Sequence, residues 1–331
     1  MNGIKSTLLS IEYGVPQGSI LGPLLFLLYI NDLPNATNFF IRLFADDTFL
    51  CAQNEDILLL EQEAQSEIEK VFFWLASNKL TLNVDKSKFM LITNKKNISH
   101  QIELKINGEK LEQCDTYKYL GVQIDSNLSW KPHITYISTK IAKACGALSK
   151  IRHCVDINTL TNIYHALVHS YLRYGIIAWG NASLSNLKPL QAMLNRVVRI
   201  MCFAPFGRID LKPLYSCLEI LNVSKIFLLE TGKFIYKSKN GMLPINNIAK
   251  HFERRVGASH QYNLREHRSY ELPRILHHTA EAQKSIQIKG HELWNKIPQE
   301  IRNGESLRIF KTHFKSHLLS EIEVLNLDNL F

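Results

Sequence analysis

The sequence predicts an α+β chain, an antiparallel sheet with helices followed by an all-helical part, and three observations point that way. Short runs of aromatic and branched residues, separated by turn-forming residues, crowd the first 125 positions. Apolar residues then recur at helical spacing through about 131–153, 156–178 and 186–204. The charge also changes sign along the chain: 11 Lys and Arg stand against 16 Asp and Glu through Asp125, and 28 against 14 from Ser126 onward, within a formal net charge of +9. A basic second part suits a polyanion such as nucleic acid, although dispersed positive charge also occurs on proteins that bind none.

At 331 residues and 46% apolar content the chain has material for about two domains by the usual ~150-residue prior. Its longest apolar stretch, Ile20-Leu21 and then 24–30, is broken by Gly22-Pro23. That falls well short of the ~20 residues of a membrane span. The first ten residues lack the apolar core of a signal peptide, so an intracellular protein is expected. Six cysteines are scattered without a CxxC pair, which supports neither a disulfide framework nor a zinc site.

Taken in order, residues 5–13 read as a strand leading into Gly14-Val15-Pro16-Gln17-Gly18-Ser19. The glycines allow a left-handed or closely approached backbone, Pro16 stiffens the loop, and Ser19 suits a helix cap. The helix that follows, to about Asp32, is apolar nearly all round and should be buried. Phe39-Phe40-Ile41-Arg42-Leu43-Phe44-Ala45 and Thr48-Phe49-Leu50-Cys51-Ala52 then read as two strands with Asp46 and Asp47 at the tip of their hairpin. Two adjacent carboxylates repel each other, and a hard divalent cation relieves that repulsion; the pair also suits an ordinary turn. The chemical reading is a metal site for phosphoryl or nucleotidyl transfer.

A second helix is expected over about 56–77, with Leu60, Ala64, Ile68, Val71, Phe72 and Leu75 on one stripe. Glu61, Glu63, Glu67 and Glu69 read as its solvated face. Two strand-like runs, 80–84 and 88–92, flank Asp85-Lys86-Ser87, where Lys86 could clamp a phosphate or simply serve a turn. The Asn107-Gly108 dipeptide between 101–106 and 109–113 is the strongest hairpin signal in the chain. Residues 117–122 read as a strand whose Gly121 lets another backbone come close. Farther on, six histidines (His251, His260, His267, His277, His278 and His291) lack metal-ligand spacing and read as surface or RNA-facing groups. Basic and aromatic residues interleave from Phe252 to Tyr270, a composition suited to phosphate contact with base stacking and equally to an ordinary surface.

In order, the Gly14-Val15-Pro16-Gln17-Gly18-Ser19 loop, Tyr29-Ile30-Asn31-Asp32-Leu33, Phe44-Ala45-Asp46-Asp47-Thr48, the 80–88 run, Tyr117-Lys118-Tyr119-Leu120-Gly121-Val122 and Leu128-Ser129-Trp130-Lys131-Pro132-His133-Ile134 closely resemble the reverse transcriptases of non-LTR retrotransposons, in particular the jockey-like elements. Leu293-Trp294-Asn295-Lys296-Ile297-Pro298 extends the resemblance into the tail. It implies a partial right-hand polymerase palm over 1–125, a helical thumb and connection over 126–240, and a basic helical region over 241–331. It implies RNA-templated DNA synthesis by two-metal nucleotidyl transfer with Mg²⁺ or Mn²⁺, acting on an RNA template, a DNA primer and deoxynucleoside triphosphates. By the same resemblance Asp46 and Asp47 hold the metals, Gln17, Gly18 and Ser19 line the template and incoming nucleotide, Lys86 lies near the triphosphate, Leu120-Gly121 forms the primer grip, and the protein works in the nucleus.

The family places a third metal-binding carboxylate on a strand upstream of the Gly14–Ser19 loop. Only Glu12 precedes that loop, and it stands too close to match. The expectation is therefore an amino-terminally truncated polymerase without activity of its own. A catalytically inactive nucleic-acid-binding remnant is the alternative, and an unrelated metal-dependent phosphotransferase fits the pair but not the ordered motifs.

Overall fold

A computed structural model describes residues 14–15, 18–93, 95, 100–205, 207, 209–243, 252 and 285–320. The chain divides into two compact units, Met1–Asp115 and Thr116–Phe331. Helices and small two-stranded sheets are mixed along it, in keeping with the α+β expectation.

In the first unit, helix α1 (Gly22–Ile30) and a 3₁₀ turn (Leu33–Ala36) lead to strands β1 (Phe40–Phe44) and β2 (Asp47–Cys51), followed by helix α2 (Ile57–Ser77). Ile30, Leu33, Ile41, Val71 and Leu75 form a small core, with Phe26, Leu43, Leu50 and Trp74 packed against it. Only the Phe26 and Ile30 stripe of α1 meets this core. Leu24, Leu25, Leu27 and Leu28 are exposed, Leu28 to 67%, which corrects the expectation of a fully buried helix. A nine-residue helix apolar on every side cannot bury all its faces against one cluster, and among the described residues nothing covers the others.

The polar side of α2 differs from expectation as well. Glu67 is buried rather than solvated: its carboxylate accepts hydrogen bonds from Thr37 Oγ1 (2.7 Å) and the Asn38 amide (2.7 Å), and pairs with Lys70 (2.6 Å). Nearer the start of α2, Glu61 accepts from the Glu103 amide (2.6 Å), and Gln65 exchanges hydrogen bonds with the backbone of Lys105 (2.8 and 2.9 Å). Residues four apart on one helix face thus tie α2 to the hairpin of β4 (Lys105–Ile106) and β5 (Glu109–Lys110) through side chains. Asn107 and Gly108 form the turn of that hairpin, at φ +51° and +83°. This is the left-handed pair that an Asn-Gly turn supplies.

The runs at 80–84 and 88–92 are mostly irregular. The Asn83 side chain accepts from the Lys86 amide (3.1 Å) and closes a 3₁₀ turn over Val84–Lys86, a local bond that competes with strand pairing. Only β3 (Lys88–Phe89) remains extended, and it pairs in parallel with β6 (Glu112–Gln113). The expected antiparallel sheet appears among the described residues as separate ribbons: β1–β2, β3–β6 and β4–β5 here, and one more in the second unit.

The second unit opens with the antiparallel ribbon β7 (Thr116–Tyr119) and β8 (Val122–Asp125). Buried Asp125 then accepts from the amides of Ser129 (3.0 Å) and Trp130 (2.8 Å), which fixes the entry into helix α3 (Lys131–Ile151). Helix α4 (Ile157–Tyr164) continues through a π-helical turn, His165–His169, into α5 (Ser170–Arg173). After a break come α6 (Ile176–Trp179), α7 (Leu184–Met201), α8 (Lys212–Cys217) and α9 (Val223–Lys239). The expected continuous helix over 156–178 is interrupted at Tyr174-Gly175, where Gly175 takes φ +61°.

Helices α10 (Ile286–Lys296), α11 (Gln299–Arg302) and α12 (Leu307–Ser320) complete the unit, with α10 and α12 packed on α9. Gly232 of α9 admits the Phe314 ring of α12, since a Cβ there would lie 2.6 Å from it. Trp179, Tyr164, Phe310 and Phe314 are among the large side chains buried in one continuous core. Phe252 and His291 also lie inside, their rings 5.1 Å apart, so these two are core residues and not part of an RNA-facing surface. The other five histidines of the carboxyl-terminal series and the basic residues between Arg254 and Arg268 lie outside the described residues. All six cysteines are unbridged. No helix among the described residues is long and apolar enough to cross a membrane.

Candidate active site

The acidic hairpin forms as expected. Its register pairs Phe40 with Cys51 through to Phe44 with Asp47, so the loop is the two-residue turn Ala45-Asp46 and Asp47 begins the return strand. Ala45 takes φ +51°, a left-handed conformation that costs a residue with a Cβ about 1–2 kcal/mol. The turn is therefore strained beside the carboxylate pair. Both aspartates are exposed, and among the described residues neither carboxylate has a hydrogen-bond or ion-pair partner. Every oxygen of the pair is available to a hard cation.

That donor set fits Mg²⁺, which is commonly held by one or two carboxylates together with substrate phosphates. Asp46 and Asp47 would hold it. Among the described residues no group of three His, Cys, Asp or Glu side chains converges, so no third ligand joins the pair there.

The loop before α1 brings Gly18 and Ser19 together, while Gln17 lies outside the described residues. Gly18 takes φ +84°, and among the described residues no atom lies within 4 Å of a Cβ placed on it. Ser19 Oγ accepts from the Gly22 amide (3.1 Å) and starts α1, leaving its own hydroxyl proton to donate. Lys86 ends the Asn83-closed turn with its ammonium exposed. Among the described residues no hydrogen bond or ion pair links it to Asp46 or Asp47.

Leu120 and Gly121 do not lie within a strand. They form the two-residue turn between β7 and β8, at φ +45° and +84°. The close approach expected at Gly121 comes from a side chain rather than a backbone: a Cβ there would sit 3.3 Å from the Tyr174 ring. Tyr174 also donates its hydroxyl hydrogen to the Leu120 carbonyl (2.5 Å), and the buried Trp179 indole donates to the Tyr174 carbonyl (2.9 Å). A core tryptophan thus holds the tyrosine that holds the turn. Sequence reasoning missed Tyr174, and the available signal was the Tyr174-Gly175 step inside an otherwise helical pattern. Nearby, Lys118 and Lys140 place their ammonium groups 5.7 and 5.4 Å from the Tyr136 ring centre, a cation–π pair on one aromatic face set.

Residues 1–124, which hold the glycine loop and the acidic hairpin, match the family model described as reverse transcriptase (RNA-dependent DNA polymerase). This part of the chain is similar to the reverse transcriptase family. The jockey mobile element's RNA-directed DNA polymerase of Drosophila melanogaster is 28% identical over 218 residues, covering 62% of this chain and 24% of that protein. The corresponding Drosophila funebris protein is 28% identical over 217 residues, covering 62% and 23%. The probable RNA-directed DNA polymerase from transposon X-element of D. melanogaster is 30% identical over 209 residues, covering 59% and 22%. The chain thus spans about a quarter of the length of the curated relatives it matches. No solved structure matches it. The resemblance to jockey-like retrotransposon polymerases is borne out.

Proposed function

We propose that this chain contributes the metal-binding hairpin and helical nucleic-acid-binding part of an RNA-directed DNA polymerase from a non-LTR retrotransposon. One observation carries the reading: two adjacent, exposed, unpartnered carboxylates sit on a strained hairpin turn inside a segment that matches the reverse transcriptase family. In this reading 1–125 is part of a palm, 126–240 a thumb and connection, and 241–331 a basic carboxyl-terminal region. Its partners are an RNA template, a DNA primer and deoxynucleoside triphosphates.

Bound Mg²⁺ or Mn²⁺ would stabilise the charge that develops on the attacking and leaving oxygens during nucleotidyl transfer. The remaining work falls to the chain. Asp46 and Asp47 fix where that charge is compensated, because the paired strands and their two-residue turn fix the backbone that carries them. Gln17, Gly18 and the Ser19 hydroxyl proton line the template and nucleotide, with the Gly18 backbone allowing close approach. Lys86 offers an exposed ammonium to a triphosphate. The Leu120-Gly121 turn, latched by Tyr174, supports the primer end.

Primer extension on poly(rA)/oligo(dT) with Mg²⁺ or Mn²⁺ tests the reading. Two carboxylates without a third hold metal weakly, so the expected result is no incorporation by this polypeptide alone. Incorporation that disappears in Asp46→Ala would show that the pair suffices and would correct that expectation. Incorporation that survives Asp46→Ala would remove the assigned site. The alternative reading is a non-catalytic nucleic-acid-binding remnant in which the hairpin serves only as scaffold. Gel-shift binding that survives Asp46→Asn/Asp47→Asn, together with no divalent-ion binding by the native chain, would select it.

A further inference from the structure

The second unit carries two rows of cationic and imidazole side chains that adjoin each other. His165, His169 and Arg173 follow at four-residue steps through the π-helical turn into α5, with the two imidazoles 5.1 Å apart. Arg308, Lys311 and Lys315 follow at steps of three and four along α12, on a face distinct from its buried Phe310, Phe314 and Leu318. The rows are neighbours: α5 and α12 both pack on α9, whose Glu230 holds Arg173 at 2.9 Å. In keeping with this, after burial Lys315 and Lys311 lower the His165 pKa, and after burial and His165 itself, Arg173 and Lys315 lower that of His169 against the opposing Glu230.

Among the described residues the acids nearby do not neutralise this face. Glu230 of α9 is already shared by Arg173 (2.9 Å) and Lys233 (2.7 Å), and exposed Glu219 reaches Lys315 only at 3.5 Å. Among the described residues Arg308 and Lys311 have no ion-pair partner, and the ring nitrogens of His165 and His169 have no hydrogen-bond partner. Like charges crowded in this way repel until an anion lies among them. Two rows, each running along about two helical turns, suit an extended polyanion better than a single small ion. A π-helical turn is moreover an irregularity that often marks a functional position.

We propose that this two-row face binds the phosphodiester backbone of a nucleic acid, with Arg173, Arg308, Lys311 and Lys315 contacting successive phosphates and the two imidazoles donating N–H groups between them. The proposal deepens the nucleic-acid reading above and rests on it. It assigns binding to particular side chains of α5, the π-helical turn and α12, within parts that the sequence marked only as basic and helical.

The test measures binding of the full chain to a fluorescent 20-nucleotide RNA, and to DNA of the same length, between about 50 and 200 mM salt. Lys311→Ala/Lys315→Ala should weaken binding about 10- to 100-fold, the range for two solvent-exposed contacts of ordinary net strength. It should also flatten the slope of log affinity against log salt by about 1.4, since each lost single-strand phosphate contact contributes about 0.7. Lys150→Ala/Lys188→Ala removes the same charge from helices α3 and α7 and should have a clearly smaller effect. Lys311→Glu, at an exposed position, repeats the test without risk to the core. Native binding with the two double variants indistinguishable would overturn this face alone. Failure of the native chain to bind either strand would overturn the nucleic-acid reading as well, and binding retained in Asp46→Asn separates both outcomes from the catalytic assignment.

Discussion

The two compact units use their apolar residues in opposite ways. In the first, α1 leaves four leucines exposed, the strands form short ribbons, and the core is a handful of residues beneath α2. In the second, Val168, Leu172, Trp179, Leu190 and Phe310 are all sealed within one continuous helical core. The difference teaches where each property resides. The proposed metal site stands on a thinly packed unit whose local order comes from turns and from polar ties such as Glu67, while the basic surface stands on a self-sufficient helical core.

The largest effect expected from that contrast is Trp179→Ala. It removes a fully buried aromatic and the hydrogen bond holding Tyr174, and should cost about 3–5 kcal/mol in urea unfolding. Hydrogen exchange should rise throughout the second unit and little in the β1–β2 hairpin; an equal rise in both would break the comparison.

Next in size is Glu67→Gln. Hydrogen bonds led by the Lys70 ammonium, with those from Thr37 and Asn38, outweigh burial and hold the Glu67 carboxyl at about 2, below its ordinary 4.5. A lowered folded-state value means that its stabilisation is complete above about 4.5 and is lost as pH falls towards about 2. The substitution should cost about 1–3 kcal/mol at neutral pH and reduce the acid sensitivity of the first unit across that window. An unchanged acid profile would mean that Glu67 does not tie α2 to the 37–38 segment.

Tyr174→Phe should cost about 1 kcal/mol and raise amide exchange around the β7–β8 turn without altering the helical core. Global loosening would show that Tyr174 supports more than the turn. The smallest effect is expected from Ala45→Gly, which relieves the left-handed strain beside Asp46 and should stabilise the hairpin by about 0.5–1 kcal/mol. A loss of stability there would remove the argument for strain.

Where local chemistry decides the structure, the sequence was legible. The apolar runs around Asp46-Asp47 marked the β1–β2 hairpin, Asn107-Gly108 marked the separate β4–β5 turn, and α2 lies where its apolar stripe placed it, with the Asp56 carboxylate accepting from the amides of Leu58 and Leu59. The family and the order of its motifs were legible as well, because an ordered set of weak signals is specific. Features that depend on tertiary contact were not. Periodicity placed Glu67 on a polar face, but only the fold brings Thr37 and Asn38 over it. Composition made Leu120-Gly121 a strand because the left-handed turn needs Tyr174 beneath it. The His165, His169 and Arg173 row has four-residue spacing but was not picked out from the sequence, because it gains meaning only with α12 beside it.

The most direct test of the account is Mn²⁺ binding, followed by electron paramagnetic resonance, to the full chain with oligo(dT)-primed poly(rA) and a deoxynucleoside triphosphate present. The account predicts a bound-ion signal in the native chain that is lost in Asp46→Asn/Asp47→Asn, with nucleic-acid affinity unchanged. Equal Mn²⁺ binding by the two proteins, or none by either, would contradict the assignment of the Asp46-Asp47 turn as a metal site.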